Sequence, residues 1–82
     1  MVNKVPVGER ALLARINRKL AADELRIRKN REGSRAEQDM GVYFMLNTHI
    51  NGAVEYHVNL EETGRELGVL QAWEEVAWDE GQ

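Results

Sequence analysis

The chain has 82 residues, 43% hydrophobic and 30% charged, with a formal net charge of −3. That composition belongs to one folded domain rather than a disordered tail, and a chain this short buries only about 60–65% of its unfolded surface, leaving little room for a deep pocket. The lack of cysteine excludes disulfide staples, thiolate nucleophiles and sulfur-ligated zinc.

The small net charge conceals a segregation. Residues 1–38 hold ten Lys and Arg against five acids, a net of +5, while residues 39–82 hold Arg65 alone against nine acids, a net of −8. Each half can project a field of its own sign, which points to a charged partner unless the halves neutralise each other in the fold.

At the amino terminus, no uncharged apolar segment of signal-peptide length occurs before Arg15, and no apolar run approaches the ~20 residues that a bilayer span requires. The expected compartment is the cytoplasm. A single domain over 1–82 is expected, with residues 1–8 and 79–82 flexible.

From Arg10 to Ala22, Leu12, Leu13, Ile16 and Leu20 fall on one arc of a helical wheel, and alanines fill much of the rest. The spacing predicts an amphipathic helix with Arg15, Arg18 and Lys19 opposite the leucines, stopping near Ala22 where Asp23 and Glu24 break the pattern. Leu25 and Ile27 then alternate with Arg26 and Arg28, the period of a short strand with a cationic outer face. Asn30 to Asp39 reads as an exposed connection. Within it, Ser34 and Glu37 have capping-box spacing, so a helical turn ending near Gly41 is allowed.

Val42–Leu46 and Val54–Val58 bracket a hairpin. A three-residue loop of Ile50, Asn51 and Gly52 would pair Thr48 with Val54, Leu46 with Tyr56 and Phe44 with Val58, giving one apolar face. Tyr43, Met45, Asn47, His49, Ala53, Glu55 and His57 would then form a polar face. Asn59 as N-cap and Gly68 as C-cap bound a helix over Leu60–Leu67. Val69, Leu70, Trp73, Val76 and Ala77 recur at three to four, predicting a last short helix whose Trp73 tucks onto the hairpin. The expected fold is therefore α+β: an N-terminal amphipathic helix, a three-stranded antiparallel sheet covered on one face, and two short C-terminal helices.

The chemistry-bearing residues are few. In the expected register His49 and His57 stand roughly 13 Å apart at ~3.3 Å per strand residue, too far to share a metal ion. Ser34, the only serine, has no neighbouring histidine to activate it, and the glycines match no phosphate-loop spacing. No cofactor, metal or catalytic residue is expected. His57 with Glu55 two residues back is the sole candidate acid–base pair, and surface decoration accounts for it more simply.

Two interaction readings remain. In the first, a non-enzymatic protein regulates or inhibits a larger macromolecular complex through protein contacts, as small bacterial or phage accessory proteins acting on nucleic-acid-handling systems do. Its contact residues would be Glu74, Glu75, Trp78 and Asp79, an acidic face with an aromatic anchor. In the second, Arg15, Arg18, Lys19, Arg26 and Arg28 track a nucleic-acid backbone. Homo-oligomers are compatible with both; a membrane partner is not expected.

Overall fold

The computed structural model describes residues 4–78. In chain order it contains β1 (Val5–Gly8), α1 (Glu9–Leu20) continued by a 3-10 turn (Ala21–Asp23), β2 (Leu25–Lys29), α2 (Arg35–Met40), β3 (Tyr43–Asn47), β4 (Gly52–Glu55), α3 (Leu60–Glu66) and β5 (Glu74–Ala77). β2, β3 and β4 form an antiparallel sheet in that order, and β1 and β5 form a separate parallel ribbon. The α+β class and the three-stranded sheet agree with the sequence expectation.

The core lies between α1, α3 and the inner face of the sheet. Leu12, Ile16 and Leu20 recur at the four-residue spacing of one helix face and meet Ile27, Tyr43, Val58, Leu60 and Leu70, with Val7 closing the ribbon side. Gly64 is where α3 comes closest to α1: a Cβ there would sit 2.9 Å from Leu12 Cδ1 and 3.2 Å from Leu70 Cβ. Only a residue without a side chain permits that approach.

Local signals place most of the element ends. Asp23 and Glu24 do close the first helix, with Glu24 in the left-handed region at φ 58°. Ser34 accepts from the Glu37 N–H (3.2 Å), and Gly41 ends α2 at φ 84°. Asn59 accepts from the Glu62 N–H at the start of α3 (3.0 Å). Ser34 and Asn59 each satisfy a backbone donor that the first turn of a helix would otherwise leave unpaired, while Glu24 and Gly41 close the C-terminal ends.

Four expectations are corrected. Residues 5–8 are not a loose lead-in but strand β1, its Val5 N–H bonded to Trp73 O (2.8 Å). Alternate residues of a parallel strand face the same neighbour, so Pro6, lacking an N–H, faces the free edge where no donor is needed. The last helix is also absent: after α3 the Val69 and Leu70 N–H groups both bond to Gly64 O, a turn follows at 71–74, and the chain becomes β5. β5 runs beside β1 with Val7 opposite Val76, so the apolar repeat at 69–77 serves a turn and a strand. Trp73 is consequently 57% exposed instead of core.

The hairpin register is the remaining pair of corrections. Asn47 lies opposite Gly52, Leu46 opposite Ala53 and Met45 opposite Glu55, which leaves Val54 as a bulge and makes the loop four residues, 48–51. Asn47 Oδ1 accepts from the N–H groups of His49 (2.8 Å) and Ile50 (3.2 Å), and Asn51 takes the left-handed conformation at φ 57°. This side-chain turn outcompetes the Asn-Gly loop that the sequence suggests. The faces also exchange. Tyr43 is buried and Met45 packs against the core, while Phe44 and Leu46 lie with Arg28 and Arg26 on the other face of the sheet, where Leu46 is also buried. Tyr43 can be buried because its hydroxyl donates to the Glu9 carboxylate, while the Lys29 ammonium lies 5.9 Å from its ring centroid and 3.4 Å from Glu9.

Candidate interaction surfaces

β5 carries the acidic and aromatic candidates. Its first residue, Glu74, is only 9% exposed and is not a contact residue. Its carboxylate accepts from the Gln71 N–H (2.9 Å) and from the Arg15 guanidinium (3.1 and 3.2 Å). Arg65 clasps the same turn, donating to the carbonyls of Gln71 and Glu74 at 3.0 Å each. The Glu74 carboxyl is held below its ordinary value chiefly by the Gln71 N–H; burial opposes this, and Arg15, then Arg65, reinforce it. Glu74 is therefore a joint between α1 and the ribbon.

The other proposed contact residues divide. Glu75 is exposed on the opposite face of the strand from Glu74, and Trp78 is 46% exposed just past the strand end. Asp79 lies outside the described residues. Trp73 and Val5, 57% and 53% exposed, lie together at the start of β5, the opposite end of the strand from Trp78, since the Val5 N–H bonds to Trp73 O. Helical periodicity hides both residues, because the repeat at 69–77 reads as a helix and residues 1–8 carry no helical pattern of their own. Val5-Pro6-Val7, β-branched residues around a proline, is the edge-strand signal that could have found the first.

The basic candidates also divide. Arg15 is tethered, its guanidinium donating to Glu74 and to Val69 O (3.0 Å). Arg18 and Lys19 stand exposed on α1, and Arg26 and Arg28 stand exposed on the outer face of β2. Among the described residues none of these four lies within 4.0 Å of a carboxylate; Arg15–Glu74 is the one Lys or Arg ion pair joining the basic half to the acidic half, and Glu24 and His49, 4.0 Å apart, also meet across them. Arg15–Glu74 ties the halves together, Tyr43–Glu9 and Glu24–His49 also bridge them, and Arg18, Lys19, Arg26 and Arg28 remain a cationic surface.

Among the described residues three clefts border α1, one of them, of about 240 Å³, lined by Asn17, Ala21, Leu25, Arg26 and Thr48. Another, of about 430 Å³, is lined by Arg15, Arg18, Lys19 and Val69. A third, of about 210 Å³, is lined by Glu9, Arg10, Leu13, Lys29 and Tyr43, over the network that seats the tyrosine.

The histidines do not meet. His49 sits in the hairpin loop, its Nδ1 4.0 Å from a Glu24 carboxylate oxygen and both side chains exposed. His57 is exposed at φ 54°, its N–H bonded to Met40 O and its ring against Gly41. Among the described residues no group of three or more His, Asp and Glu gathers as a metal site would need, and no helix is long and apolar enough to cross a membrane. No protein-family model, curated protein or solved structure matches this chain.

Proposed function

We propose that this chain is a small non-enzymatic interaction protein that docks its β1–β5 ribbon, with Trp73 and Trp78 at the two ends of β5, onto a basic protein surface and thereby regulates or inhibits a larger complex. The observation that supports it is the exposure of both tryptophans, one on each side of a four-residue strand, with Val5 exposed beside Trp73. Tryptophan buries more apolar area than any other side chain and dominates contact energies when desolvated, so showing two of them to water is costly unless a partner covers them.

Charge selects the partner. Exposed Glu75 lies between the tryptophans in a half of the chain with net charge −8, which favours a cationic surface. A second copy docking symmetrically would bring like carboxylates together. A bacterial or phage accessory protein acting on a nucleic-acid-handling complex in the cytoplasm fits this reading, because such complexes present basic surfaces.

The test compares nuclease-treated pull-downs from the native host using the unmodified protein and a Trp73→Ser/Trp78→Ser variant, followed by calorimetry on the purified partner. A basic protein bound by the first and lost from the second is expected. Equal recovery of every captured protein by both baits would overturn the reading.

A second reading is favoured by a separate observation: Arg18, Lys19, Arg26 and Arg28 are exposed with no carboxylate in reach among the described residues. On this reading the chain contacts a nucleic-acid backbone, with affinity that falls steeply with salt.

A further inference from the structure

We infer that the cleft lined by Arg15, Arg18, Lys19 and Val69 is a phosphate seat that takes the sugar–phosphate backbone of a nucleic acid. This deepens the second reading above and rests on it.

The seat is built from one helix and the segment after α3. Arg15, Arg18 and Lys19 lie within five residues of α1, so their side chains leave neighbouring positions of the same turn and a half. Together they place three cations on one side of the cleft of about 430 Å³, and Val69 contributes the apolar lining. A phosphodiester backbone has matching parts, anionic oxygens alternating with the weakly polar edge of a sugar.

Arg15 makes the site more than a row of surface cations. Its Nη1 donates to Glu74 and to Val69 O, which fixes the guanidinium at the wall of the cleft while its remaining N–H groups are left to donate. A guanidinium fixed before the ligand arrives loses less side-chain entropy on binding. Arg18 and Lys19 supply charge that nothing in the described fold neutralises. The rest of the exposed helix surface helps: Ala11, Ala14, Ala21 and Ala22 are short, so a backbone can approach without meeting a bulky side chain.

The outer sheet face, with Arg26, Arg28 and Phe44, is the competing seat. It carries two cations, as many as the cleft holds besides the paired Arg15, but among the described residues no carboxylate or carbonyl orients either of them in advance.

Fluorescence anisotropy with labelled single-stranded and duplex oligonucleotides, read across salt concentrations, tests the assignment. If three phosphates are neutralised, the slope of log affinity against log salt is about −2.7, a roughly 40-fold loss between 50 and 200 mM. Arg18→Ala/Lys19→Ala should flatten the slope to about −0.9, a loss of only ~3-fold over the same range. Arg26→Ala/Arg28→Ala should leave it unchanged. Amide shifts on titration should centre on residues 15–19 and on Val69.

Binding that survives Arg18→Ala/Lys19→Ala with its slope intact, and is lost in Arg26→Ala/Arg28→Ala, would overturn the cleft and leave the nucleic-acid reading standing on the sheet face. No salt-sensitive binding by the unmodified protein would overturn both. All four side chains are exposed, so circular dichroism of the variants should match the parent.

Discussion

Asn17 of α1 holds both backbone polar groups of Ile27: its Oδ1 accepts from the Ile27 N–H (2.7 Å) and its Nδ2 donates to the Ile27 carbonyl (3.1 Å). Ile27 belongs to β2, an edge strand, and its outward-facing backbone would otherwise be unpaired beneath a buried side chain. A single carboxamide thus takes the place of a fourth strand and fixes α1 against the sheet.

Asn17→Ala should therefore cost about 1–3 kcal/mol, the desolvation cost of buried backbone groups left without partners. Urea unfolding measures it, and faster hydrogen exchange at the Ile27 amide would locate the damage. Unchanged stability with an unprotected Ile27 amide in the parent would show that water already serves this edge.

Gly64→Ala should destabilise by about 1–3 kcal/mol through overpacking, because the new methyl meets Leu12, which is fully buried, and the Cβ of Leu70. Thermal melting distinguishes this from helix propensity, which alone predicts that alanine in α3 would stabilise.

Acid should loosen the joint between α1 and the ribbon. The folded Glu74 carboxyl titrates below its ordinary value near 4.5, so the stability it contributes is complete above that pH and is lost as pH falls through the lower folded value. Urea midpoints of the parent and of Glu74→Gln, compared from neutral pH downward, should converge in acid. Parallel profiles would mean that the Gln71 and Arg15 contacts do not favour the carboxylate in solution.

Trp73→Ser should change stability by no more than about 0.5 kcal/mol, as for other surface substitutions. A core tryptophan would cost several times that on truncation. Acrylamide quenching of the parent's fluorescence gives an independent check, since both indoles are open to solvent; strong protection would show that the ribbon is covered by another copy.

α1, β2, α2 and α3 were legible because each carries its own evidence: a 3.6-residue apolar repeat, a two-residue alternation, or a cap whose side chain reaches its own backbone. Glu24, Ser34, Gly41 and Asn59 act within three or four residues of themselves. The hairpin was half legible. Its strands were evident from composition, but Asn47 reached into the loop, moved the turn and inserted Val54 as a bulge. β1 and β5 were misread because four-residue strands carry too little pattern to outweigh a neighbouring helical repeat.

For the candidate surfaces, exposure of Arg18, Lys19, Arg26 and Arg28 followed from helix and strand periodicity alone. Glu74 and Arg15 could not be read that way, because each looked like a solvated charge until residues 59 positions apart were brought together.

The sequence by itself determined the α+β class, the helix ends and the segregation of charge, all set by interactions spanning a few residues or by simple counting. The tertiary structure alone decided the pairing of β1 with β5, the burial of Tyr43 on Glu9 and the outward position of Trp73. Those depend on contacts between distant segments, whose partners no local pattern names, and it is there that one arginine became a rivet while its neighbours stayed free.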